Sequence, residues 1–445
     1  MSPKRILPPG PKTWRPLGFL RQFASAPLTM LEKAAPYGDV VAIRLLNRQV
    51  YLLNHPDHIK HVLVDNQRNY LKGRALAATR RVIGQGLLTS EGDFHTRQRR
   101  LIQPAFHRQR IANYAQVMTD YAAQQMADWQ DGDSRDLHHE LMTLTMKIVA
   151  KCLFNTDVAS EADLVGAAIT SLLADFNLVD ASPLGQLLTK LPTPRQKRRA
   201  KNEKTLNTLI YRFIEERRTG GEDKGDLLSM LLQARDTEGD GIGMDDQQVR
   251  DEVMTLFLAG HETTANALTW TFYLLAQNPT AAGHLHAELD SVLGNRPPTL
   301  ADLPQLPYTK RVFSEAMRLF PPAWVVGRTA IAPDHIGGYT IPTGATVLLS
   351  QYLMHRHPTY WDQPDQFKPE RFESETDRPR YAYFPFGGGP RLCIGEPFAW
   401  MEGELLIAAL AQQWRFTLAP GAVVEPDPSI TLRPKHGLPV VLKKR

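Results

Sequence analysis

Cys393 lies in a run of residues whose types suit a metal-binding thiolate: Phe386-Gly387-Gly388-Gly389-Pro390-Arg391-Leu392-Cys393-Ile394-Gly395. A lone cysteine is most often a small buried hydrophobe. Cys152, within Ile148-Val149-Ala150-Lys151-Cys152-Leu153-Phe154, reads that way. Cys393 differs through its neighbours. Three consecutive glycines, ending at Gly389, permit close backbone approach to a flat ligand and unusual dihedrals. Backbone N–H groups in such a turn can donate to sulfur and tune it as a ligand. The helix expected just after Gly395 directs its positive end toward the sulfur, which favours thiolate over thiol. Phe386 can shield the sulfur from water, and Arg391 is placed to pair with an anionic carboxylate of the ligand.

A second group interrupts a long apolar helical pattern: Ala259-Gly260-His261-Glu262-Thr263-Thr264. Glycine inside a helix costs about 1 kcal/mol against alanine. Ala259 and Gly260 also remove bulk, so a flat ring and O2 could approach the backbone. A carboxylate beside a hydroxyl in an apolar helix is expensive unless it is used. The bland alternative has the threonine bonded back to its own helix and Glu262 in a salt bridge, and spacing alone leaves both open. Two further pairs share helix faces. Glu315 and Arg318 are spaced i, i+3, and the segment Pro369-Glu370-Arg371-Phe372 follows them. His95 and Arg99 are spaced i, i+4 within His95-Thr96-Arg97-Gln98-Arg99-Arg100. Taken singly, each of these pairs reads as a solvated surface.

The Cys393 segment resembles the signature of the cytochrome P450 family: Phe, two residues, Gly, one residue, Arg, one residue, Cys, one residue, Gly. Every defining position is present, and the resemblance runs from Leu7-Pro8-Pro9-Gly10-Pro11 to the final helix. It implies haem b with Cys393 as the iron ligand and O2 as co-substrate. Phe386, Gly389, Gly395, Ala259 and Gly260 would border the cofactor. It gives Glu262 and Thr263 as the acid and alcohol that pass protons during oxygen activation. Arg391, His95, Arg99 and Arg328 become partners of the haem propionates, with His95 standing where the family often has Trp. Arg97 and Arg100 are expected to face solvent or an acidic electron donor. Glu315, Arg318 and Arg371 become a buried triad that braces the cysteine loop. The implied activity is that of a monooxygenase. It would insert one oxygen atom of O2 into a hydrophobic substrate such as a fatty acid or an isoprenoid. Electrons would come from a separate ferredoxin or flavodoxin with its reductase. A peroxide-driven peroxygenase is the rival within the family, and the intact Glu262–Thr263 pair weighs against it. A non-catalytic haem protein is the rival from another class.

These residues need elements to hold them. Apolar periodicity predicts one very long helix from about Asp245 to Gln277. Asp245 and Asp246 suit its positive end, and Asn278-Pro279 stops it. It would span about 50 Å. A second helix is predicted from about Tyr308 to Phe320, halted by Pro321-Pro322, and a last one from about Pro397 to Gln412. Further helical patterns fill Phe94 to Ala234. Short strands are expected near Val325–Ile331 and Thr346–Leu349, and a hairpin from Val40–Arg44 and Val50–Leu53 around Asn47 and Arg48. The loop Asp236–Gly243 imitates the start of a calcium loop, but its twelfth position is Gln247, so it reads as a plain loop. The basic run Arg195, Lys197, Arg198, Arg199 and Lys201 reads as a solvated helix start. The expected fold is mainly α with small β-sheets. A single domain would cover residues 1–445, with an extended segment at 1–16 and the haem between the long central helix and the cysteine loop. The pocket roof would come from Tyr70–Leu88, Leu172–Leu191 and Ala323–Val326. Its apolar members are Leu172, Leu173, Phe176, Leu178, Leu184, Leu187, Trp324 and Val325.

With 445 residues the chain can bury a cofactor of this size. Hydrophobic residues at 42% and charged residues at 22% exclude disorder as the default. A net charge of +5, with both signs interleaved, points to no nucleic-acid surface. Two distant cysteines form no disulfide framework and suit a reducing compartment. There is no secretory signal and no uncharged apolar run long enough to cross a membrane. A cytoplasmic monomer without a fused reductase is expected.

Overall fold

A computed structural model describes residues 7–11, 22–23, 25–45, 48–155, 168, 193–220, 224–236, 238–239, 241–374 and 378–445. They are mainly helical with small sheets. The contacts group into two compact units. The first holds Met1–Ala78, Arg318–Gln366 and Ser374–Cys393; the second holds Thr79–Met317, Phe367–Glu373 and Ile394–Arg445.

The first unit is built on a five-stranded sheet. Val40–Leu45, Arg48–Leu53, Thr346–Leu349, Val326–Ala330 and Tyr70–Lys72 lie side by side in that order. The first two strands pair antiparallel with Val40 opposite Leu53 and Leu45 opposite Arg48, so Arg48 belongs to a strand rather than to the turn. Asn47, the other expected turn residue, lies outside the described residues. Alternation puts Tyr51 and Leu53 on the same face, and Leu52 on the other face is buried as well. Tyr51 and Leu53 join Val40, Ile59, Val62, Leu63, Val347 and Phe384 in one apolar core. The strand over Thr346–Leu349 coincides with its expected limits. The cysteine loop is the last segment of this unit.

The second unit is helical. Its site-bearing helices are α1 (Gly92–Ile102), α2 (Leu137–Phe154) and α3 (Asp246–Gln277). Helix α4 (Pro307–Leu319) carries Glu315 in this unit and Arg318 in the first, and α5 (Glu396–Gln413) follows the cysteine loop. Helix α3 has 32 residues. Asp245 caps it, its carboxylate accepting the Gln248 N–H at 2.7 Å, which satisfies one of the orphan donors of the first turn. Asn278 closes the other end before Pro279. Helix α2 packs along α3: Thr145 Oγ1 donates to the His261 carbonyl at 3.0 Å. The strand Leu432–Pro434 also lies on α3, where the Trp270 indole donates to the Leu432 carbonyl at 2.9 Å.

The segment after Ala234 is fastened to the helical unit by two arginines. The Arg100 guanidinium grips the Asp236 carboxylate with two bonds of 2.8 and 2.7 Å. Arg97 lies 3.4 Å from the same carboxylate and donates to the carbonyls of Ile242 and Gly243. This corrects the expectation for Arg97 and Arg100. Their charges go to a carboxylate that is 3% exposed, because a buried acid needs paired cations. They anchor the loop to α1.

Candidate active site

Within the first unit, the cysteine loop is closed by its own backbone. The Cys393 N–H donates to the Phe386 carbonyl at 3.1 Å, and the Leu392 N–H to the Gly389 carbonyl at 3.0 Å. Gly389, Pro390 and Arg391 form a single 3-10 turn between them. Two of the glycines are also required by packing within the protein. A Cβ on Gly389 would stand 1.9 Å from the Leu63 carbonyl oxygen, and one on Gly388 2.6 Å from the Tyr381 ring. At both positions the missing side chain lets the backbone pass close to the protein's own atoms. Gly389 also has φ +65° and Gly387 φ +77°, the left-handed region that favours glycine. Just before the loop, the Phe384 N–H donates to His355 Nε2 at 2.9 Å. Arg318 in turn donates to the His355 carbonyl at 2.8 Å, to Pro364 at 2.6 Å and to Gln366 at 3.0 Å. Its guanidinium lies over the Trp361 ring.

The loop ends on an exposed Cys393, which is in no disulfide, with Phe386 and Arg391 half-buried beside it in sequence. Cysteine is ordinarily among the most buried residue types, and Cys152 follows that habit at 1% exposure. Burial pushes the Cys152 thiol well up, so it stays a thiol. An open sulfur at the end of a rigid loop, with an aromatic ring and a guanidinium nearby in the chain, fits a thiolate-ligated iron porphyrin with acidic side groups. Arg328 is half-buried in the strand Val326–Ala330, its Nη1 donating to the Gly327 carbonyl at 3.0 Å.

Within the second unit, α3 is buried along most of its length, and the widest break in burial away from its ends falls in its middle. Leu258, Gly260 and Thr263 are half-buried and Ala259 is exposed, while His261, Glu262 and Thr264 remain buried. The break falls on the motif read from the sequence. Gly260 needs its small size against α2, where a Cβ would meet Val149 at 3.0 Å; its missing side chain thus serves helix packing. Thr263 Oγ1 donates to the Ala259 carbonyl at 2.7 Å, the bland option for that hydroxyl. Glu262 is in no salt bridge among the described residues. Its Oε1 accepts a 2.6 Å bond from Thr431 Oγ1. Burial raises the Glu262 pKa, with Thr431 and the charge of Arg433 opposing. On α1, His95 is buried at 5% exposure and Arg99 is half-buried. Glu315 is fully buried and meets Arg371 Nε at 3.1 Å and the Lys368 N–H at 2.9 Å. The helix and the later segment therefore do bring Glu315 and Arg371 together. Arg318 donates to the three carbonyls of the first unit described above.

The model of the cytochrome P450 family matches residues 8–439 of this chain. The chain belongs to the cytochrome P450 family. As a P450 it is a haem-dependent monooxygenase that uses O2. It is similar to cyclooctatin synthase of Streptomyces melanosporofaciens, with 42% identity over 412 residues, 92% of this chain and 90% of that protein. Cyclooctat-9-en-7-ol 5-monooxygenase of the same organism is 37% identical over 92% of this chain and 89% of its own length. Pentalenene oxygenase of Streptomyces avermitilis is 35% identical over 92% and 91%. Among the described residues of this P450, no helix is long and apolar enough to cross a membrane.

Several polar residues of this P450 were missed from sequence. Thr431 sits just before a short strand and carries no local signal. Asn266 and Trp270 do: with Glu262 they fall at i, i+4 and i+8, one face of a helix. Glu402 on α5 is fully enclosed, and neither carboxylate oxygen has a hydrogen-bond partner among the described residues. Burial pushes it up to about 8, with the neighbouring Thr264 hydroxyl opposing. Of the expected pocket roof, Leu172, Leu173, Phe176, Leu178, Leu184 and Leu187 lie outside the described residues. Trp324 is buried, and its carbonyl accepts from Ser350 Oγ at 3.0 Å. Val325 is half-buried.

Proposed function

We propose that this P450 oxygenates an isoprenoid of low polarity, with electrons delivered by a separate ferredoxin or flavodoxin and its reductase. The observation that carries the reading is the break in burial on α3. The less buried side chains there, those of Leu258, Ala259 and Thr263, are apolar apart from one hydroxyl. Such a surface favours a hydrocarbon through dispersion and offers one polar contact. The names of two relatives, a cyclooctat-9-en-7-ol monooxygenase and a pentalenene oxygenase, support an isoprenoid over a fatty acid.

Haem b held by the Cys393 thiolate supplies the redox and oxygen chemistry when bound. The protein supplies shape, charge and protons. Phe386 would keep water from the sulfur, and Arg391, Arg328, His95 and Arg99 would pair with the ring's carboxylates. Thr263 Oγ1 gives its hydrogen to the Ala259 carbonyl at rest. Its lone pairs remain able to accept a proton, and rotation of the hydroxyl passes one on. Glu262 is the proton source behind it, because burial makes its carboxyl hold a proton more tightly than an exposed glutamate. Glu315, Arg318 and Arg371 hold the backbone around the site and take no part in proton transfer.

The test is a titration of the ferric enzyme with a panel of cyclic terpenes, terpene alcohols and long-chain fatty acids, read as the low-to-high spin shift. Terpenoid ligands should give the shift. Turnover under labelled O2 with a ferredoxin system should place one labelled atom in the product. Fatty acids alone producing the shift would overturn the substrate class. Hydrogen peroxide alone matching the rate of the reductase system would overturn the separate electron donor.

A further inference from the structure

Glu262, Asn266 and Trp270 form a polar seam along one face of α3, and all three reach the same short stretch of the C-terminal segment. Trp270 Nε1 donates to the Leu432 carbonyl at 2.9 Å. Asn266 Nδ2 donates to Thr431 Oγ1 at 3.1 Å. Thr431 Oγ1 donates to Glu262 Oε1 at 2.6 Å. Glu262, Asn266 and Thr431 are all buried, at 7%, 0% and 7% exposure.

The order of donors makes this chain directional. A hydroxyl has one hydrogen to give and lone pairs to accept with. Here an amide N–H occupies the oxygen of Thr431, so its single hydrogen goes to the carboxylate. Trp270 pins the neighbouring carbonyl, which keeps Thr431 in register with α3. We propose that Thr431 is a positioning residue that clamps one oxygen of Glu262 as an acceptor, fixing the orientation of the carboxyl group and favouring its ionised form. The proposal rests on the proton role given to Glu262 above. It adds that the resting acid is tethered on one oxygen and delivers protons from the other.

The charged and titratable groups near Glu262 among the described residues can be named. Arg433, on the strand Leu432–Pro434, is the cation that acts on it, and Arg433 is itself paired with Asp427 at 3.1 Å. Next to it on α3, His261 is pushed down to about 4 by burial and is neutral near pH 7. His138 on α2 is also pushed down to about 4 by burial, and its Nδ1 lies 3.3 Å from Thr269 Oγ1. Glu402 on α5, at about 8, is mostly protonated there. With these groups unchanged, removing the Thr431 hydroxyl should be felt by Glu262 directly.

The experiment compares the haem-loaded wild type with Thr431→Val, which keeps the shape, and Thr431→Ser, which keeps the donor. The readout is the infrared band of the protonated Glu262 carboxyl as pH is varied, assigned by its loss in Glu262→Gln. Losing a charge-assisted bond should raise the protonation midpoint in Thr431→Val by about one pH unit. In Thr431→Ser the midpoint should stay near that of the wild type. The pH profile of product formed per O2 consumed should shift with the band. An unchanged midpoint in Thr431→Val, or an equal shift in both variants, overturns the clamp. Wild-type product yield per O2 in Glu262→Gln would instead overturn the proton role of Glu262, while the band still decides whether Thr431 holds it.

Discussion

At the scale of single residues, each unit keeps one group in unusual surroundings. Cys393 is exposed where cysteine is normally buried, and Glu262 is buried where glutamate is normally exposed. Each departure has a structural cause. The cysteine ends a loop whose own N–H closes on Phe386, and the carboxylate is tethered by a hydroxyl from a distant strand. The thiolate can be tested on its own. Cys393→Ser should still fold, because the loop closes through backbone atoms. It should lose the red-shifted CO absorption that marks thiolate ligation. Survival of that band in the purified variant would defeat the assignment of Cys393.

At the scale of elements, glycines that look alike in sequence do different work. Gly387 and Gly389 both sit at positive φ, but a Cβ at Gly387 meets nothing within 4 Å whereas one at Gly389 would overlap the Leu63 carbonyl. Gly387→Ala should therefore cost only the strain of a left-handed alanine, about 1 kcal/mol. Gly389→Ala must also displace backbone and should cost several-fold more. Thermal unfolding together with haem occupancy measures the contrast, and equal losses in the two variants would contradict it. Gly260 shows the same principle between helices, since its smallness lets α2 carry Val149 against α3. The loop at Asp236 shows the converse. There two arginines and one buried acid fasten an irregular segment to α1.

At the scale of the whole molecule, buried titratable groups give stability a pH dependence. Glu402 is raised to about 8 by burial against an ordinary value near 4.5. Below pH 4.5 it is protonated whether the chain is folded or not, and it costs nothing. Between 4.5 and 8 the unfolded chain releases the proton while the folded one keeps it, so stability falls as pH rises through that window. His261, lowered to about 4, acts at the acid side. Its contribution is intact above 6.5 and is lost as pH falls toward 4. Glu402→Gln removes the first term and leaves the second. The variant should melt at higher temperature than the wild type at pH 8, by a margin on the order of a few kcal/mol in stability. The gap should close near pH 4.5. A gap that is constant with pH would show that Glu402 is not the group responsible.

The sequence by itself determined what depends on near neighbours. The acidic start at Asp245-Asp246, the stop at Asn278-Pro279, the strand at Thr346–Leu349 and the loop around Cys393 are set by residues a few positions apart, and all were legible; that Asp245 caps the helix was not. So was the pairing of Glu315 with Arg371, through the family resemblance. Tertiary structure alone decided which distant group meets which. Glu262 finds Thr431 across 169 residues of chain, and Arg100 finds Asp236 across 136. The glycines of the cysteine loop turn out to face Tyr381 and Leu63. The physical reason is that backbone geometry repeats over a few residues and imprints a period on the sequence. A buried donor or acceptor is satisfied by whatever packing brings within about 3 Å, and that proximity leaves no period to read.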